Sequence, residues 1–317
     1  MKFLLLVLGA ALSAACAAQA YPSRPVRVIV PLAAAGTGDT LARVVSEEMA
    51  RLLGQPFLIE NRPGSGGVIG MESVARSAPD GYTLLAVSPA LVIHAALRPK
   101  IGYDPIRDFE PITVIANTHQ LIVGHPSVPA SNVAELVAYA KRNPGKLNYG
   151  SAGTGSATHL NMELFKSMTG TFITHIPYKG STQSRQDLLA GEVQLSVDGL
   201  IPTLPLIRAG KLKAFGLASS HRSGIAPDIP TLAEAGVTGY ASDTWYGMAA
   251  PAGTPKGVVA ALHAAAIKAV HTPAVRERLT QQGAELVGNT PVEFKGLLER
   301  ELLLWTKVVK DSGAKVD

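Results

Sequence analysis

The chain has 317 residues, a formal net charge of +5 and 47% hydrophobic residues, a length near the ceiling for one hydrophobic core, so two domains are expected. Lysines and arginines are scattered and aromatics make up only 5%, which argues against a nucleic-acid-binding protein. A single cysteine, Cys16, leaves no intramolecular disulfide framework.

Residues 1–20 predict an export leader. Lys2 supplies the positive start, Phe3 to Leu12 an apolar stretch, and Ala18-Gln19-Ala20 the small-x-small cleavage pattern. The apolar stretch is shorter than the ~20 residues that span a bilayer. Cleavage after Ala20 and a periplasmic location are expected. A lipid anchor on Cys16 is disfavoured, because Ser13 stands where a larger aliphatic residue is usual. The expected mature chain starts at Tyr21, and 317 less 20 leaves 297 residues.

Apolar β-branched runs alternate with helical patterns, the mark of an α/β protein. The strand Val26–Val30 runs through a glycine loop, Pro31-Leu-Ala-Ala-Ala-Gly-Thr-Gly-Asp39, into a helix that Gly54 stops, with Asp39 or Thr40 as the expected N-cap. Strand 57–59, a second glycine loop at 60–67, a helix to about Ser77 and strand Thr83–Val87 follow, with Ser88-Pro89 as a helix start. From Leu121 the scheme begins afresh: strand 121–123, a helix over 132–141, a strand at Leu147, a helix from His159 to the Gly170 stop, and strand 172–176. Loop 177–181, a helix to Leu189, strand 193–197 ending at Asp198, and strand 213–218 complete the second set. Trp245–Ala250 predicts a strand, and helices over 255–270, 273–282 and 291–312 finish the chain. The expected organisation is a discontinuous first domain, 21–120 with 243–317, around a second, 121–242. The hinge is placed near Leu121–Gly124 and Trp245–Ala249, with Trp245 and Tyr246 as core.

Two loops predict a site. In each, a strand breaks into Gly, Ser and Thr just before a helix, where hydroxyls and unpaired helical N–H groups favour an anion. The first supplies Gly36, Thr37, Gly38 and Asp39; the second, after Leu147, supplies Ser151, Thr154, Gly155, Ser156 and His159. Ser88, Lys179, Gly180 and Asp198 stand at further strand ends or loops. Capping is a competing role for Asp39, Ser156 and His159, and solvation for Lys179.

Enzyme signatures fail. Gly36-Thr-Gly38-Asp-Thr-Leu41 places leucine where a dinucleotide fingerprint needs a third small residue, and both Gly-Lys pairs are followed by leucine rather than Ser or Thr. No G-x-S-x-G or H-E-x-x-H occurs. A hydrolase would have to use Ser156 as nucleophile and His159 as base. His159 and Glu163 make half a metal site with no second cluster, so neither metal nor cofactor is expected.

Longer stretches carry a resemblance. Tyr21-Pro-Ser-Arg-Pro25, Glu60-Asn-Arg-Pro-Gly-Ser-Gly-Gly67, Ala78-Pro-Asp-Gly-Tyr-Thr-Leu84, Asn143-Pro-Gly-Lys-Leu-Asn-Tyr-Gly-Ser151, His175-Ile-Pro-Tyr-Lys-Gly180 and Ala249-Ala-Pro-Ala-Gly-Thr-Pro255 resemble the Bug family of periplasmic solute receptors for tripartite tricarboxylate transporters. The resemblance implies a type II periplasmic-binding-protein fold: two lobes with mostly parallel sheets, closing on a small carboxylate held in the cleft between them. It implies a monomeric receptor rather than an enzyme, with a di- or tricarboxylate, acidic amino acid or aromatic acid as ligand and integral-membrane transporter subunits as partners. A sensor presenting ligand to a signalling partner is the alternative. Two departures from the family pattern stand out: the order Gly36-Thr37-Gly38 before Asp39, and His119 where a small residue or proline is commoner.

Overall fold

The computed structural model describes residues 21–31, 34, 37–98, 100–242, 244–281 and 283–312. The expected leader, Cys16 and Gly36 therefore lie outside the described residues.

Two twisted sheets organise the chain. The first joins β1 (Val26–Val30), β2 (Phe57–Asn61), β3 (Thr83–Val87), β4 (Phe109–Thr118), β10 (Thr244–Pro251) and β11 (Ala284–Leu286) in the order β11-β4-β10-β3-β1-β2. The second joins β5 (Gln120–Gly124), β6 (Asn148–Ser151), β7 (Thr174–Pro177), β8 (Leu195–Gly199) and β9 (Lys213–Leu217) in the order β7-β6-β8-β5-β9. Ladder directions place β1, β2, β3 and β4 one way and β10 and β11 the other. In the second sheet β6, β7, β8 and β9 agree and only β5 opposes them. Each sheet is thus parallel in its strand–loop–helix units; β5 runs against the rest of its sheet, and β10 with the short β11 against the rest of the other.

Helices α1 (Thr37–Leu53), α2 (Val68–Ala75) and α3 (Ala90–Leu97) follow β1, β2 and β3; α4 (Val133–Arg142), α5 (Ala157–Thr169), α6 (Ser181–Ala190) and α7 (Leu200–Arg208) belong with the second sheet. Helices α8 (Lys256–His271), α9 (Pro273–Gln281) and α10 (Pro291–Ser312) return to the first lobe. No single described helix is long and apolar enough to cross a membrane. Helix α10 packs on α3 and β4 of one lobe and on α5 of the other, so one apolar core runs from Ile29 and Leu85 through Phe294 and Trp305 to Leu160 and Tyr149.

Four elements depart from the sequence expectation, the first being the short edge strand β11, which no sequence pattern announced. The ten-residue β4 was not anticipated, because Pro111 reads as a breaker; the strand accommodates it where the β10 ladder shifts register at Met248/Ala249. Helix α7 was hidden by Pro202 and Pro205; Thr203 Oγ1 donates to the Gly199 carbonyl at 2.7 Å in its first turn. Helix α1 begins at Thr37, so Asp39 is its third residue rather than the cap. An acidic group there suits the positive end of the helix dipole.

Only His119 separates β4 from β5. The chain therefore passes from one sheet to the other in a single extended run, and Trp245, at 1% exposure, packs edge-on against Phe294 beside it at a centroid distance of 5.2 Å.

Candidate functional site

The loops after β1, β3, β6, β7 and β8 all leave the carboxyl ends of their strands, where open α/β sheets bind ligands. In the first lobe a cavity is lined by Val30 at the end of β1, Gly38 in the first turn of α1, Ser88 at the end of β3, and Tyr246 of β10. In the second lobe β6 ends at Ser151 and opens into the loop before α5.

That second loop is tightly self-bonded. The Ala152 N–H donates to Thr158 Oγ1 at 2.9 Å, Gly153 N–H to Ser151 Oγ at 3.1 Å, Gly155 N–H to His159 Nδ1 at 3.1 Å, and Ser156 N–H to the Gly153 carbonyl at 3.1 Å. Ser156 is the N-cap of α5, its Oγ accepting from His159 N–H at 3.2 Å. Gly153 and Gly155, with φ of 118° and 80°, occupy backbone conformations that favour glycine.

A stack of three rings supports the loop from beneath. His175 lies 4.1 Å from His159 and 4.8 Å from Tyr149, centroid to centroid. His175 Nε2 is 2.7 Å from Ser151 Oγ. Tyr149 donates to Glu163 Oε1 at 2.6 Å, and Lys166 pairs with the same oxygen at 2.6 Å. Burial, with Lys166 close by, pushes His159 down to about 4. Burial, together with the adjacent His159, pushes His175 down to about 4 as well. Both imidazoles are therefore neutral near pH 7. The acceptor role of His159 Nδ1 places its proton on Nε2.

The two lobes meet through His94 of α3. Its Nε2 lies 2.9 Å from the Gly66 carbonyl, and burial lowers its pKa to about 4. A Cβ added to Gly155 would stand 3.1 Å from His94 Cε1 and 3.1 Å from Leu97 Cδ1. The glycine is thus what lets the second-lobe loop approach α3.

The residues nominated from sequence divide into two groups. Asp39 is buried, accepting from Arg43 Nε at 2.9 Å and Asn61 Nδ2 at 2.8 Å. Asp198, also buried, accepts from Arg185 Nε and Nη2 at 2.6 and 2.9 Å and from Gly199 N–H at 2.8 Å. Burial raises the Asp198 carboxyl above its usual range, although Arg185 opposes the shift. With Ser151, Ser156 and His159, these side chains are committed to holding the loops. By contrast, the hydroxyls of Thr37, Ser88 and Thr154 make no hydrogen bond among the described residues. Gly38 and Gly155 are buried, Gly180 precedes α6, and Lys179 is exposed beside it. Tyr178 N–H donates to the Ser151 carbonyl at 3.1 Å, which brings the 177–181 loop alongside the second-lobe loop.

The hydrolase reading fails on this geometry. Ser156 Oγ faces the backbone N–H of His159 rather than its ring, and His159 Nδ1 is occupied by Gly155. The half metal site fails too, since His159 Nε2 is 3.9 Å from a Glu163 oxygen already taken by Tyr149 and Lys166. Sequence reasoning missed His94, His175 and Arg185, which lie outside the glycine loops. Only strand adjacency could have signalled His175, whose Cα pairs with that of Tyr149 across β6 and β7.

Comparison with known proteins agrees with this architecture. Residues 41–314 match the tripartite tricarboxylate transporter family receptor, TctC. The chain is 36% identical to protein BugT of Bordetella pertussis over 323 residues, covering 100% of this chain and 99% of BugT. Among solved structures it is similar to Rpa4515 of R. palustris with adipate (37% identity, TM-score 0.84, 93% of this chain and 100% of that one). It is similar also to MatC of Rhodopseudomonas palustris with bound malate (36% identity, TM-score 0.82, 91% and 100%). The fold, the loop geometry and these matches together show that the chain belongs to the TctC, or Bug, family of periplasmic receptors, which bind solutes rather than transform them.

Proposed function

We propose that this chain captures a small dicarboxylate between its lobes and delivers it to the membrane subunits of a tripartite tricarboxylate transporter. The observation that carries the reading is the division of hydroxyls. Thr37 and Ser88 on one lobe and Thr154 on the other are uncommitted at the carboxyl ends of the strands, while their neighbours are bonded into rigid loops. Helix α5 presents its positive end beneath Thr154, and the flanking histidines are neutral, so an anion would be met by fixed dipoles rather than by a mobile cation. Such a site suits reversible capture. Micromolar affinity needs about 8 kcal/mol, whereas one helix terminus contributes about 0.3–1 kcal/mol, so several hydrogen bonds and lobe closure must act together. The receptors holding adipate and malate support a dicarboxylate as the ligand class.

On this reading, segments 21–120 with 243–317 and 121–242 move as two bodies about β4–β5 and β10. The chain is exported, cleaved after Ala20 and monomeric. The test is calorimetric titration of the mature chain with adipate and malate, alongside thermal unfolding. A bound dicarboxylate at 100 times its Kd stabilises the fold by about 2.7 kcal/mol, and is recovered unaltered. Thr154→Val and Ser88→Ala should each weaken binding roughly 10- to 100-fold, the range for a hydrogen bond to a charged group, with the ligand-free Tm unchanged. Wild-type affinity in both variants would refute this assignment of contacts, and no binding of any small carboxylate would refute the function.

A further inference from the structure

Away from the strand-end loops, three side chains distant in sequence converge where the chain crosses between lobes. His119 is the residue between β4 and β5, His221 follows β9, and Glu285 lies in β11 opposite Asn117 of β4. His119 Nε2 is 2.7 Å from Glu285 Oε1, and His221 Nε2 is 2.7 Å from Glu285 Oε2. The two imidazoles stand nearly perpendicular, at 81°, with centroids 5.4 Å apart. All the potential ligand atoms lie within 4.8 Å of one another.

The geometry points to a site for a divalent transition-metal ion of the zinc type, formed by His119, His221 and Glu285 at the lobe crossing. The donor set argues for the class of ion. Two imidazole nitrogens and one carboxylate suit zinc and its neighbours, whereas calcium and magnesium select oxygen ligands. The spacing is close to what is needed, because tetrahedral ligand atoms at ~2.1 Å from a central ion stand ~3.4 Å apart. Both nitrogen–oxygen separations, now 2.7 Å, would lengthen and the nitrogens, within 4.8 Å of one another, would adjust as the ion enters. Exposure argues for an open fourth position: the His119 side chain is 1% exposed, while Glu285 and His221 are 35% and 51% exposed. A water molecule can reach the ion from that side.

On the His221 side the surroundings fit as well: with the ion on Nε2 the ring carries its proton on Nδ1, which already lies 3.1 Å from Ser220 Oγ, a partner of the kind that orients ligating histidines. His119 Nδ1 is buried with no hydrogen-bond partner among the described residues, so that ring is placed by packing. The site is assembled from the crossover itself, from the segment leaving the second sheet, and from an edge strand of the first. A bound ion would therefore tie the lobes together at their crossing, and it exists only in the folded chain.

Zinc titrated into untagged, chelator-treated mature protein tests this directly, independent of any carboxylate ligand. One saturable site by calorimetry, a rise in Tm, and intense visible absorption with cobalt(II) in place of zinc are expected. His221→Ala is half-exposed at the wild-type position and Glu285→Gln keeps the shape of the side chain, so both should fold with the metal-free Tm little changed. Each should lose zinc affinity by more than the roughly 10- to 100-fold that an outer-shell change costs, while His271→Ala, at a separate surface position, should bind as wild type. No saturable zinc binding to the wild type, or equal binding by His221→Ala and Glu285→Gln, would overturn the site and leave the cluster as a carboxylate shared by two imidazoles.

Discussion

Each lobe buries one aspartate near the cleft, and the two are held differently. Asp39 sits in the first turn of α1, where the helix terminus already favours a negative charge, and Arg43 and Asn61 share its oxygens. Arg43 remains half-exposed. Asp198 ends a buried strand and depends on a bidentate clamp from Arg185, whose side chain is only 18% exposed. The first carboxylate has several modest supports, whereas the second, apart from the Gly199 N–H, relies on one strong charge partner. Neither carboxylate is free without breaking the bonds that hold its lobe, so both act as scaffold.

Removing the clamp should separate the two cases most sharply. Arg185→Ala leaves Asp198 buried with the Gly199 N–H but no counter-charge, and urea unfolding should show a loss of about 3–5 kcal/mol. Arg43→Ala is the matched change in the other lobe and should cost below about 1 kcal/mol, since Asn61 and the helix end remain. Equal losses would mean that Asp39 depends on Arg43 as heavily as Asp198 depends on Arg185.

Acid tests the ring stack against the same background. His94, His159 and His175 are held near 4 in the folded chain, below the roughly 6.5 of an unfolded histidine. Between those values the unfolded chain binds more protons, so stability should fall as pH drops from about 6.5 toward 4 and these sites should contribute no slope above about 7. A shallower slope in His175→Gln, with His94 and His159 keeping their shares, would assign the missing part to the stack, and an unchanged slope would remove His175 from the effect.

Gly155→Ala adds a Cβ that must push against His94 and Leu97 at a φ of 80°. A cost of about 1–3 kcal/mol is expected, with weakened solute binding because the lobes are held apart. Ser156→Ala should cost about 1 kcal/mol through the lost cap, with binding less affected than in Thr154→Val. The reverse order would move Ser156 from scaffold to ligand contact.

Much of the fold was legible in the chain. Strands β1 and β3 announce themselves as short apolar runs, and each glycine loop marks a strand end next to a helix. What the pattern concealed was β4, α7 and the short β11; for the first two, proline is a poor guide where a register shift absorbs it, as at Pro111, or where a helix carries it, as α7 carries Pro202 and Pro205. The structure brings the nominated loops to strand ends, but residue type alone could not separate side chains bonded into the scaffold from those left without a bond. Serine and threonine serve both duties, and only the hydrogen-bond network shows that Ser151 and Ser156 are occupied while Ser88 and Thr154 are not.

Local pattern by itself determined the alternation of strand and helix, the two glycine loops and the absence of nucleotide and nucleophile signatures, since these depend on residues a few positions apart. Only the tertiary structure decided that Arg185 clamps Asp198, that His175 backs Ser151, and that His119, His221 and Glu285 meet at the crossing. Those pairings join segments far apart in the chain, and they exist because parallel strands bring separate loops to one edge while the β4–β5 run carries one lobe onto the other.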